Sequence, residues 1–77
     1  MKVDHKHARN VSDLKLGEHA ILGALRPDSL YLKLLEMGCL PGTPVCLKLP
    51  GDPLCITVGG HDLSLRVEEA QCLALVD

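Results

Sequence analysis

The sequence predicts a small, mainly β fold: a barrel or roll of about five short strands with one α-helix, over about 29–37, and a few single helical turns. Two observations carry this. Residues 34–70, LLEMGCLPGTPVCLKLPGDPLCITVGGHDLSLRVEEA, run a helix into a glycine and then alternate short apolar segments with turns rich in Gly, Pro and Asp. The chain has only 77 residues, enough for one small core, and a domain of that size buries about 60% of its unfolded surface. A sheet this small with long apolar edges is expected to close on itself.

Each element has a local reason. Residues 1–10 are polar and aperiodic and read as a flexible lead-in, leaving 11–77 as the domain. Ser12-Asp13-Leu14 suits one helical turn, with Ser12 as its N-cap and Leu14 as a buried anchor. Gly17 then turns the chain. From His19 to Leu25 alternation sends Ala20, Leu22 and Ala24 to one face and His19, Ile21 and Gly23 to the other. Arg26-Pro27 closes that strand, Asp28 or Ser29 caps the helix, and Gly38 provides its left-handed exit.

The helix is apolar over a broad arc: Leu30, Tyr31, Leu32, Leu34, Leu35 and Met37 spread around it, with Lys33 and Glu36 marking the polar side. One face is expected to pack on the barrel; the remainder either stays exposed, as partner sites often do, or is covered by the N-terminal segment, which would sandwich the helix. After Pro41-Gly42, a strand over 43–49 points Val45, Leu47 and Leu49 inward. Pro50-Gly51-Asp52-Pro53 reverses the chain, and Leu54, Ile56 and Val58 return on the same face. Gly59-Gly60 suits a primed hairpin turn into a third strand with Leu63 and Leu65 inward. Residues 67–71 form a helical turn with Glu68 and Glu69 near its start, and 72–76 is the last strand.

Composition narrows function. Net charge is −2, hydrophobic residues are 47% and Tyr31 is the sole aromatic, so the basic stripe and stacking platform of a nucleic-acid binder are missing. The groove of a proline-rich-peptide reader, which needs aromatic walls, is missing too. No run approaches the ~18 apolar residues of a membrane span, and no secretory signal is visible at the N-terminus; a cytoplasmic protein without direct membrane insertion is expected. Cys39, Cys46, Cys55 and Cys72 form no C-x-x-C pair and sit in apolar strings, as small hydrophobes do in a reducing compartment. The alternative is a soft-metal or redox site: pairing of the two central strands places Cys46 and Cys55 diagonally on the outer face. Asp4, His5 and His7 make a weak metal set on a mobile tail, His61 belongs at a hairpin tip, and His19 at a rim. Without a nucleophile elbow, phosphate loop or metalloprotease helix, an enzyme is not expected, and no catalytic residue, resident metal site or cofactor is assigned.

The order of short motifs resembles the FeoA family, small cytoplasmic proteins that accompany the bacterial ferrous-iron transporter FeoB. The motifs are Val11-Ser12-Asp13-Leu14 with Lys15-Leu16-Gly17-Glu18, Lys33-Leu34-Leu35-Glu36-Met37-Gly38, Leu40-Pro41-Gly42-Thr43, Gly51-Asp52-Pro53, and Leu63-Ser64-Leu65-Arg66 before Glu68-Glu69-Ala70. Each is common alone; five in order are specific. The resemblance implies an SH3-like barrel, a module that also ends some iron-dependent repressors, and an accessory role through contact with the cytosolic G-protein domain of the FeoB permease. Lys33 stands where the family often has Arg, keeping the charge and lacking the planar fork. Gly38, Gly42, Gly51, Pro53, Leu34 and Leu35 read as structural. Leu30, Tyr31, Leu32, Lys33 and Arg66 are the candidate partner-binding residues, although Arg66 and its neighbouring acids also read as a solvated surface pair. Two alternatives stand beside the adaptor. One is a metal-responsive module binding Fe2+ or another divalent ion weakly through His and Cys. The other is an assembly module forming a weak homo-oligomer through an unpaired strand edge.

Overall fold

A single antiparallel sheet wraps one aliphatic core. The structure, a computed structural model, describes residues 9–25 and 31–76. Five strands, β1 (His19–Leu25), β2 (Pro44–Leu49), β3 (Leu54–Val58), β4 (His61–Leu65) and β5 (Leu73–Val76), lie in the order β4-β3-β2-β1-β5. The helix α1 (Tyr31–Glu36) joins β1 to β2, and one turn of helix, α2 (Val67–Ala70), joins β4 to β5. A 3₁₀ turn (Val11–Asp13) precedes β1.

The core forms where alternation points it. Leu22, Val45, Leu47, Leu54, Ile56, Val58, Leu65, Leu73 and Leu75 come from the strands, Leu34 from α1 and Val11 from the 3₁₀ turn, and all are buried. The β3–β4 hairpin closes in two residues, with Gly59 (φ 55°) and Gly60 (φ 89°) both left-handed as a primed turn requires. At the end of α1, Gly38 (φ 93°) lets its own N–H reach the Leu35 carbonyl (3.0 Å) and the Cys39 N–H reach that of Leu34 (3.0 Å). That is a Schellman exit with Leu34 and Cys39 as its apolar contact, both fully buried.

Several expectations are corrected. The ladder does not close: β4 and β5 are the two ends of the sheet, and the 3₁₀ turn and α2 pack across the gap, burying Val11, Leu14 and Ala70. Asn10, not Ser12, caps the 3₁₀ turn. Its side chain accepts the Ser12 N–H (2.9 Å) and the Asp13 carboxylate accepts the Asn10 N–H (2.9 Å), a reciprocal box unavailable to Ser12. Arg9 and Asn10 also pair with β5, the Arg9 carbonyl accepting the Leu75 N–H (3.0 Å), so the last two residues assigned to the lead-in belong to the fold; residues 1–8, with Asp4, His5 and His7, lie outside the described residues. The described part of the helix is 31–36, ending one residue before the expected 37; positions 29 and 30 and the expected caps Asp28 and Ser29 lie outside the described residues.

Leu49 was expected inward and is 63% exposed. The β2–β3 register shifts between Leu47 and Leu49, and one extra residue in a strand turns every later side chain over. A bulge in the β1–β5 pairing after Leu22 similarly leaves Ala24 exposed. Leu47→Ala should therefore cost about 2–4 kcal/mol and Leu49→Ala under about 0.5 kcal/mol in urea unfolding, although both positions alternate identically in the sequence. Equal losses would contradict the bulge.

Candidate functional site

The predicted partner face centres on α1, and the structure shows how that helix is held. Six residues make under two turns, too little to be stable alone, so its position depends on tertiary contacts. Leu34 plugs the core completely, while Leu35 and Met37 are half-buried against it. One position before Leu34, Lys33 reaches from α1 to α2, placing its Nζ 2.5 Å from Glu69 Oε2.

Glu69 is the buried charged residue among those described, 6% exposed. Its second oxygen accepts the Arg66 backbone N–H (2.9 Å), one half of a capping box at the start of α2. Arg has no side-chain acceptor for the other half of that box, and the Glu69 N–H donates to the Arg66 carbonyl (2.9 Å) instead; Lys33 gives the carboxylate its second bond. The Lys33 ammonium and the Arg66 N–H together hold the Glu69 carboxyl below its ordinary value against the opposing effect of burial. Of the acids beside Arg66, Glu68 is exposed like Arg66 itself, whereas Glu69 is a buried link between the two helices. Sequence reasoning missed this link. The available signal was a Glu three residues after the N-cap position, which marks a side chain turned back toward the backbone.

Around that link the candidate residues divide. Leu32 is 69% exposed and Lys33 shows more than half of its side chain to solvent. Arg66 is exposed at the N-cap of α2, the helix that the Lys33–Glu69 bond links to α1. Tyr31 begins α1, with its side chain outside the described residues, as is all of Leu30.

The outer face of the sheet carries a second constellation. His19, Cys46, Thr57 and Asp62 are successive cross-strand partners from β1 to β4. The first three line a shallow cavity of about 260 Å³ together with Pro44 and Gly59. At its polar end Asp62 accepts bonds from Lys48 Nζ (2.9 Å) and Thr57 Oγ (3.0 Å), which lower its carboxyl below the ordinary range, while Asp62 raises Lys48. Cys46 and Cys55 are half-buried on this outer side, whereas Cys39 and Cys72 are buried, and burial pushes the Cys39 thiol up, away from the reactive thiolate. Among the described residues no three His, Cys, Asp or Glu side chains converge as a metal site, and no helix is long and apolar enough to cross a membrane.

The FeoA domain family matches residues 9–76, almost the entire chain. The chain belongs to the FeoA family. That family is associated with ferrous iron transport. Among solved structures, Stenotrophomonas maltophilia FeoA complexed with zinc is 26% identical, over 90% of this chain and 91% of its own, with a TM-score of 0.81. It is described as a prokaryotic SH3 domain protein and a candidate activating factor of bacterial ferrous iron transport. Iron(II) transport protein A from Clostridium thermocellum is 28% identical over 87% of this chain and 44% of its own, with a TM-score of 0.79. T. acidophilum IdeR shares the fold at 18% identity over 99% of this chain and 37% of its own, with a TM-score of 0.79. No curated protein sequence matches. The SH3-like fold is therefore shown, in the half-open form described above. Within this FeoA domain, Lys33 makes its ion pair with Glu69 through a single ammonium contact.

Glu69→Gln keeps an acceptor for Arg66 and loses the charge opposite Lys33, so it should cost about 1–3 kcal/mol at pH 7. Because the folded carboxyl titrates below its unfolded value, the advantage of the parent is complete above the ordinary Glu range and disappears as pH falls through the folded value. Denaturant unfolding of both proteins from pH 7 to 3 should show the gap closing on the acid side. A constant gap would mean that the charge contributes nothing.

Proposed function

We propose that this FeoA domain is a small cytoplasmic accessory protein of bacterial ferrous iron uptake. It acts by contact with the cytosolic G-protein domain of the FeoB permease, not by catalysis and not as a resident metal carrier. The family match over residues 9–76 carries the reading, and the exposed side of α1 supplies a surface suited to it. Leu32 projects from a helix whose opposite side is fixed in the core by Leu34; Lys33 follows it on α1 and is bonded to Glu69 of α2, the helix at whose head Arg66 is exposed. An aliphatic anchor ringed by charge is how compact interfaces obtain affinity and orientation together. The contact residues are Leu30, Tyr31, Leu32, Lys33 and Arg66, and no nucleic acid, membrane insertion or bound cofactor enters the reading. The S. maltophilia relative, described as a candidate transport-activating factor, points the same way.

The metal-responsive alternative is less favoured because no three ligating side chains converge among the described residues. Calorimetry with the isolated permease G-protein domain tests the adaptor directly. Leu32→Asp should weaken binding about tenfold or more while leaving the unfolding midpoint within about 0.5 kcal/mol of the parent, because Leu32 packs on little of its own molecule. Parental affinity in that variant would show that the helix surface is not the interface.

A further inference from the structure

The two edges of the sheet are finished differently. At β5 the outer edge is occupied: the Arg9 carbonyl accepts the Leu75 N–H, and Asn10 bridges to Ala74. At β4 no described strand lies on the outer side. Because Val58 and His61 flank a two-residue turn, the pairs Val58–His61, Ile56–Leu63 and Leu54–Leu65 exchange the ladder bonds. Asp62 and Ser64, on the alternate positions, turn their backbone N–H and C=O groups outward, and both residues are exposed.

Edges are normally guarded by proline, by an inward or projecting charge, by a bulge, or by a covering segment. β4 has no proline, no lysine and an unbroken register with β3. Its single charge, Asp62, is drawn back over the outer face of the sheet by Lys48 and Thr57.

We infer that β4 is a self-pairing edge, on which a second copy of this chain adds its own β4 antiparallel about a two-fold axis at Leu63. In that register Asp62 of each copy faces Ser64 of the other. Each of these two pairs exchanges two backbone bonds, so all the outward groups of Asp62 and Ser64 are used. The two half-buried Leu63 side chains meet on the axis, next to the core that each already touches. Neighbouring two-fold registers are worse: centring on Asp62 opposes two carboxylates, and centring on Ser64 requires the Arg66 N–H, which Glu69 already holds. A five-residue edge makes a small interface, so the dimer is weak and concentration-dependent. The inference is independent of the adaptor reading, since α1 and Leu32 take no part in it.

Sedimentation of the full chain from about 10 μM to about 1 mM tests it, with Ser64 substitutions giving opposite signs. Ser64 is exposed and its side chain has no recorded bond, so neither substitution threatens folding. Ser64→Asp sets a carboxylate against Asp62 of the other copy at two symmetric places and should weaken dimerisation about threefold or more. Ser64→Lys sets a cation there and should strengthen it by a similar factor. Amide exchange at Asp62 and Ser64 should slow as concentration rises. A parent that stays monomeric, its edge then waiting for a foreign strand or for none, overturns the inference. So does a dimer that responds equally, or not at all, to the two substitutions.

Discussion

The carboxylate of Glu69 is the contact on which the presentation of α1 depends. A six-residue helix cannot hold its own orientation; Leu34 fixes its depth in the core, and Leu35 and Met37 pack partly against it. Lys33 adds a polar tether to α2. Because Glu69 is buried, the pair is not the weakly held surface ion pair that exchanges freely with water. Removing the ammonium leaves a carboxylate with one remaining donor in a site that disfavours charge, so the helix is held in place by the cost of leaving. The half-exposed Lys33 side chain thereby ties α1, with Leu32, to the helix that Arg66 heads, joining distant parts of the sequence.

The other surfaces follow from a sheet that wraps its core without closing. A chain with one tyrosine and no Phe or Trp fills its interior with Leu, Ile and Val, which suit a tight inner face and leave little volume for an enclosed pocket. The cavity at His19, Cys46 and Thr57 is correspondingly shallow. What such a domain offers another molecule is its outside: a helix face, a sheet face and a strand edge. The FeoA family assignment agrees with that inventory.

Most of the fold was legible because it rests on local rules. Period-two alternation places Leu54, Ile56 and Val58, and Gly38 and Gly59-Gly60 fall where positive φ is needed. The five ordered motifs led to the family. What escaped has a common cause: it depends on partners remote in sequence or on a single inserted residue. Nothing near Leu49 announces the bulge that turns it outward, since Lys48-Leu49 continues the pattern. Asn10 outcompetes Ser12 as cap because Asp13 sits at the spacing that completes its box. Closure was expected from the hydrophobicity of the strands, but Arg9-Asn10 and the packing of α2 on the 3₁₀ turn cover the gap instead. Of the site, the exposure of Leu32 and Lys33 was readable from the width of the apolar arc. The Lys33–Glu69 bond was not, because it joins residues 36 positions apart.

The central claim is that the face made by α1 and the head of α2 is the recognition surface. Mapping backbone amide shifts of the isotopically labelled chain during titration with the permease G-protein domain measures it most directly. The account predicts that perturbations concentrate on Leu32, Lys33, Glu36 and Arg66, and leave Cys46, Thr57 and the β3–β4 turn unmoved. Perturbations centred on His19, Cys46 and Thr57 with α1 silent would contradict it.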